Sequence, residues 1–164
     1  MVLGMSLETF TLIHVLISLV GIASGIIVMY GFLTNQRLDR WTAVFLSTTA
    51  LTSLTGFLFP FTTVTPAIKL GIISLVVLAA AVVTRYFLHP TWRKTYVFAA
   101  CTALYFNFFV LVVQSFEKIP SLKALAPTQK EPPFAIAQIT VLVLFIVLTT
   151  FAVKRFRTAP NKNA

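Results

Sequence analysis

The stretch FTLIHVLISLVGIASGIIVMYGFL, residues 10–33, contains no charged side chain. Coiled into an α-helix it is about 36 Å long at 1.5 Å per residue. That is enough to cross a bilayer hydrocarbon core of about 30 Å. It is too long for the apolar region of a cleavable signal, and the ten residues through Phe10 carry Glu8 and no basic residue, so the stretch is expected to remain as a helix. Composition agrees with a membrane setting. Apolar residues make up 58% of the 164 and charged residues 10%, against about 45–50% and about 25% in soluble domains. Sixteen Phe, four Tyr and two Trp exclude a disordered chain, which is poor in aromatics.

Four more stretches read the same way. Residues 41–59 stop at Pro60, 67–88 lie between Pro66 and His89-Pro90, 95–116 follow a basic pair, and 134–153 open after Pro132-Pro133. Proline lacks a backbone donor and biases the residue before it away from helix, so these prolines mark boundaries. The expected fold is all-α: a polytopic five-transmembrane-helix bundle, one integral domain over 1–164, with a tail at 154–164. The longest connection, 117–133, holds Pro120, Pro127, Pro132 and Pro133.

Basic residues orient the bundle. With the N-terminus outside, the inner segments hold Arg37, Arg40, Arg85, Arg93, Lys94, Lys154, Arg155, Arg157 and Lys162, and the outer segments Lys69, Lys118, Lys123 and Lys130. Short loops rich in Lys and Arg stay on the cytoplasmic side, so N-out/C-in is expected. Tyr30, Trp41, Tyr86, Trp92 and Tyr96 fall near the inner interface, while Phe10, Phe59, Phe61, Phe116 and Phe134 fall near the outer one. The net charge of +9 is thereby topogenic. No soluble segment is large enough to fold a nucleic-acid reader.

No Asp or Glu lies inside a span, which argues against an ion-coupled carrier built on one subunit. Arg85 and Lys69 sit at span ends, where a long side chain reaches water without any functional role. Four other polar residues come from three spans. At 1.5 Å per residue, His14 lies about 6 Å from its outer helix end, Gln114 about 3 Å, Gln138 about 6 Å and Asn107 about 14 Å. Asn107 and Gln114 share one stripe. His14, Ser18, Gly21 and Gly25 share another, and Gly21-Ile-Ala-Ser-Gly25 is a small-xxx-small pattern that lets backbones approach. The hydroxyl-rich second span adds Thr52 and Thr55. Such residues hold bundles together, each bond contributing about 0.6–2 kcal/mol. Their shared depth also fits a ligand pocket with a few convergent polar groups. The candidate ligand-binding residues are therefore His14, Asn107, Gln114, Gln138, Thr52 and Thr55.

No catalytic motif of the HExxH, GxSxG, CxxC or Walker type occurs. His14 is the one embedded histidine, so no haem held by two histidines of one chain is expected. Cys101 is the only cysteine, which excludes an intramolecular disulfide, a thiolate iron–sulfur cluster and a thiolate metal site. No metal site is expected. The run from Ala103 through Asn107, Gln114, Pro120 and Pro132 to Gln138 resembles small hypothetical bacterial inner-membrane proteins, a resemblance that implies a multi-pass inner-membrane protein and no activity. Two readings remain open. One is a non-enzymatic binding or accessory subunit holding a quinone- or lipid-like amphiphile in the outer half of the bilayer, with a membrane redox or quinone-linked subunit as its enzymatic form. The other is a homo-oligomeric transporter or pore, packed through Gly21/Gly25 or Ala79-Ala80-Ala81. Expected partners are membrane lipids, with a homo-oligomer or a larger membrane complex left open, and no nucleic acid.

Orientation is testable by single-cysteine labelling. An impermeant thiol reagent added outside should modify Thr128→Cys and leave Gln36→Cys untouched. The reverse pattern refutes the orientation, and labelling at both positions refutes the span count.

Overall fold

Helix α1 (Leu7–Leu33) starts where the Ser6 hydroxyl accepts a hydrogen bond from the Thr9 amide at 3.2 Å, satisfying one of the free N–H groups of a first turn. That cap places the start three residues before the apolar run. The helix ends in a turn with Asn35 in the left-handed region (φ 59°), and the Gln36 amide donates back to the Gly31 carbonyl at 2.7 Å. Then come α2 (Asp39–Gly56), α3 (Pro66–Tyr86), a 3-10 turn (Pro90–Trp92), α4 (Arg93–Lys118), the short α5 (Pro120–Leu125) and α6 (Pro132–Arg155). The computed structural model describes residues 2, 4–60, 66–88 and 90–157. Phe61, His89 and Lys162, placed by the sequence in a belt, a connection and the tail, lie outside the described residues. The architecture is 84% helix with no strand among the described residues. Pro66, Pro120 and Pro132 each open a helix, where the missing N–H would be unpaired anyway. This is how α5 forms inside the connection 117–133.

Four helices are long and apolar enough to cross a membrane: α1, α3, α4 and α6. The expected second span is the weakest. Helix α2 has 18 residues, about 27 Å, and carries Asp39, Arg40 and seven Ser or Thr. It stops at Gly56 and passes into a turn, short of the expected end at 59.

The helix ends meet in two groups. At one, the basic end, Arg85 of α3 ion-pairs with Asp39 of α2. There the Phe32 ring of α1 lies 5.5 Å from Tyr96 of α4 and 5.0 Å from Phe156 after α6, and the Arg157 amide donates to Asn35 Oδ1 at 2.6 Å. At the other, the His14 end, Phe10 of α1 meets Phe59 after α2 at 5.0 Å, and Phe116 of α4 meets Phe134 of α6 at 5.4 Å. Helix α2 therefore runs from one end to the other, antiparallel to α1.

Large apolar side chains are exposed as well as buried, and several hydroxyl residues share the interior with Phe32, Phe45 and Leu104. Leu12, Leu16, Val76, Ile136 and Ile139 point outward, while Ser24, Thr42, Thr49, Ser74 and Thr84 are buried. A hydrocarbon solvent produces this pattern, because lipid tails are as apolar as leucine and the small or hydroxylated residues are what pack between helices. Helix α4 is the centre and touches α1, α2, α3, α5 and α6. Its Ala99, Ala100, Cys101 and Ala103 are all buried, and their small side chains allow that many neighbours. Arg85 is buried although it sits at a helix end, with its side chain only 7% exposed. Its guanidinium stacks 4.9 Å from the Tyr96 ring, a cation–π contact. The expectation that Arg85 merely reaches for water misses Asp39, which supplies the counter-charge from α2.

Gly21 and Gly25 face inward, as the small-residue stripe predicts. A Cβ at Gly25 would collide with Leu104 Cδ1 and come within 2.9 Å of the Phe45 ring, and both neighbours are themselves buried. This face is covered by α2 and α4 of the same chain. Gly25→Ala should accordingly lower stability by about 1–3 kcal/mol, the usual effect of overpacking. Ile26→Ala, at a half-exposed neighbour, should change it far less. Thermal unfolding of the two variants in detergent reads the difference, and equal melting would mean that α1 does not meet α4 at residue 25.

Candidate functional site

Five of the six residues singled out from the sequence are distributed over three interhelical joints, and Gln114 belongs to none of them. In the α1–α2 joint, His14 Nδ1 and Thr55 Oγ1 are 2.8 Å apart, and Ser18, one turn on, donates to Thr52 Oγ1 at 3.4 Å. Phe59 covers the imidazole edge-on at 5.2 Å. In the α2–α4 joint, Asn107 Nδ2 donates to Thr49 Oγ1 at 3.1 Å. A Cβ at Gly21 would lie 3.3 Å from that same Thr49 oxygen and 3.7 Å from Asn107 Nδ2, so the missing side chain leaves room for the bond. In the α4–α6 joint, Gln138 Nε2 donates to the Phe109 carbonyl at 3.2 Å, and its Oε1 is buried with no partner among the described residues. Gln114 is exposed.

Among the described residues, none of His14, Asn107, Gln114 and Gln138 hydrogen-bonds another of the four. The stripe through Asn107 and Gln114 is geometrically real, since residues seven apart drift by only about 20°. However, α2 covers its Asn107 end, and Gln114 lies open to the surroundings. Sequence reasoning found the polar residues but missed Thr49, Asn107's partner. Thr49 was one of many hydroxyls on α2, and only its complete burial distinguishes it. Other hydroxyls are used within their own helices: Thr48 donates to Val44 O and Thr55 to Leu51 O, both at 2.7 Å. Such bonding makes hydroxyls inexpensive in hydrocarbon.

A second feature lies along the same α4–α6 seam, toward the basic end. An elongated cleft of about 520 Å³ is bounded on α4 by Phe98, Thr102, Tyr105 and Phe106, and on α6 by residues from Leu142 to Lys154. That volume is in the range of sites that take a whole small molecule. The spacing on α4 (98, 102, 105, 106) and on α6 (142, 145, 146, 149, 150, 153) is that of two facing helical stripes. Sequence could not single these stripes out, because every other face of both helices is apolar as well. The walls are less polar than their composition suggests. Thr102 Oγ1 donates to Phe98 O at 2.8 Å and Thr150 Oγ1 to Ile146 O at 2.7 Å, so both present methyl groups. Phe145 is buried at the back, 5.8 Å from Tyr105 and 5.2 Å from Phe108. Cys101 also borders the cleft, almost fully buried, its thiol 3.9 Å from Met29 Sδ. The one charged group on the lining is Lys154, at the basic end.

The connection between α4 and α6 closes over the His14 end of this seam. Gln129 Nε2 donates to the Val113 carbonyl at 3.1 Å. The Glu131 carboxylate accepts from the Thr128 hydroxyl at 2.8 Å, the Thr128 amide at 3.2 Å and the Lys130 amide at 3.0 Å. Desolvation pushes its pKa up, but these hydrogen bonds outweigh it and hold the group below its ordinary value. No group of three or more His, Cys, Asp or Glu that could hold a metal occurs among the described residues. The chain matches no protein-family model, no curated protein and no solved structure.

The Asn107–Thr49 joint can be weighed directly. Asn107→Leu should cost about 0.6–2 kcal/mol, because it strands the buried Thr49 hydroxyl. Adding Thr49→Val should cost less than the sum of the two single changes, since directly bonded residues couple. Strict additivity in a double-mutant cycle, read by unfolding in detergent, would remove the bond from the structure.

Proposed function

We propose that this is a bacterial inner-membrane protein that crosses the bilayer five times, N-terminus outside and C-terminus inside. It serves as a non-enzymatic binding or accessory subunit that seats the apolar tail of an amphipathic small molecule, quinone- or lipid-like, in the α4–α6 cleft. The observation that carries the binding reading is the cleft itself, apolar along its length and charged at one end. A molecule with a long apolar part and one polar head has that same polarity.

Five crossings are supported by the way the helix ends group. Helices α1 and α3 both finish at the basic end, so the chain returns between them, and α2 is the returning segment. Orientation is supported by the arginines. Arg37, Arg40, Arg85, Arg93, Arg155 and Arg157 all belong to segments at the basic end, the side expected to face the cytoplasm. The seat proposed here lies in the inner half of the bilayer, not the outer half expected from His14, Asn107, Gln114 and Gln138. His14, Asn107 and Gln138, with Thr52 and Thr55, act as joints that hold α1, α2, α4 and α6 in register.

Solvent extraction of the purified protein followed by mass spectrometry tests the reading. An amphiphile should co-purify at about one per chain. Thr149→Trp, which places an indole in the cleft, should lower its occupancy several-fold, and His14→Ala should leave it unchanged. Loss with His14→Ala alone would move the ligand to the His14 end, and the absence of any co-purifying amphiphile would overturn the reading.

A further inference from the structure

The charge at the mouth of the cleft says what kind of head the ligand carries. Lys154 is the charged lining residue and closes the basic end on α6. On α4, Lys94 precedes the lining residue Phe98 by four positions, which places the two on one helix face, with Lys94 a turn nearer the interface. The mouth thus has a lysine from each wall. Both residues are exposed, so their ammonium groups can lie in the headgroup layer while the stems cover the apolar rim.

Among the described residues no acid neutralises them. The four acids of the chain are Glu8, Asp39, Glu117 and Glu131. Three belong to segments at the His14 end. The fourth, Asp39, is on α2, where it is taken by Arg85 and by Arg37 at 3.6 Å. The neighbouring cation on α6, Arg155, lies over the Phe151 ring at 5.8 Å. Two unpaired lysines flanking an apolar slot complement an anion with a long tail. A neutral quinone ring would gain nothing from their charge.

We propose that the occupant of the α4–α6 cleft is an anionic phospholipid of the cytoplasmic leaflet, with one acyl chain between Phe98 and Phe145 and its phosphodiester between Lys94 and Lys154. This rests on the cleft reading above and narrows it to one class of amphiphile. The bond is electrostatic at the head and apolar along the tail, so affinity for the anionic lipid falls as ionic strength rises, while seating of the tail does not.

The test uses the full chain in nanodiscs and reads retained lipid by native mass spectrometry, with phosphatidylglycerol and phosphatidylcholine of identical acyl chains in competition. Phosphatidylglycerol should be retained preferentially. Lys154→Gln and Lys94→Gln should each reduce the preference about fivefold, the effect of one lysine at an anionic surface. Arg40→Gln, on α2 at the same end, should leave it intact. An equal loss with Arg40→Gln would mean that the whole basic end attracts anions and would overturn the site. If the lysine variants change nothing while Thr149→Trp expels both lipids, the headgroup assignment fails and the cleft stands. If Thr149→Trp changes nothing, the cleft reading fails and takes this proposal with it.

Discussion

Hydrocarbon offers no hydrogen bonds, and most of this structure follows from that constraint. A polar group left without a partner there costs several kcal/mol on scales where nothing can pair with it. Most polar side chains brought into the bundle find a carbonyl, a hydroxyl or an amide within the chain, although among the described residues Gln138 Oε1 stays unpaired. Thr48, Thr55, Thr84, Thr102 and Thr150 use the carbonyl one turn back. Asn107 and Gln138 reach across to a neighbouring helix. Helix α2, the least apolar of the long helices, turns its buried Thr42 and Thr49 toward its neighbours α1, α3 and α4. The most uniformly apolar helices, α1 and α6, present long rows of Leu, Ile and Val outward.

The membrane-crossing helices were legible because length and apolarity are properties of contiguous sequence. Their ends were legible within a few residues, because prolines and charges punctuate them. Helix α2 is where sequence and structure differ: the sequence is read as a span at 41–59, but α2 is not among the four helices long and apolar enough to cross a membrane, because its hydroxyls count as polar. Which residues meet across helices was far less legible. His14 with Thr55 joins positions 41 apart, and Asn107 with Thr49 joins positions 58 apart, and nothing in either segment names the other. Common depth is a weak guide, since one layer of a bundle contains several interfaces. It gathered His14, Asn107, Gln114 and Gln138 into a single layer that packing divides among α1–α2, α2–α4 and α4–α6, with Gln114 outside all three.

The cleft illustrates the opposite problem. In a soluble protein an apolar stripe announces a buried face, but in a chain that is apolar all round the stripe carries no information. What distinguishes the α4–α6 seam is the pairing of bulk with small residues. Ala99, Ala100 and Ala103 let α4 press against its other neighbours, while Phe98, Tyr105 and Phe106 stand up on the side facing α6. Large rings prop the two helices apart where they meet, and the space between them is the cleft. The Phe32–Phe156 contact and the Asn35 bond to the Arg157 amide fix the end of α6 against α1, so the opening has a firm edge beside Lys154.

The composition of α2 also bears on how the chain enters the bilayer. In the five-crossing arrangement a segment holding Asp39, Arg40 and seven hydroxyl residues has little tendency to partition into lipid by itself. Its predecessor α1 is apolar enough to do so unaided. Their shared contacts, His14 with Thr55 and Ser18 with Thr52, exist only once both are in place. The two should leave the translocation machinery together as a helical hairpin, with α1 retained at the lateral exit until α2 emerges beside it. The short turn at 34–38 makes that coupling immediate, since few residues of synthesis separate the end of one helix from the start of the next.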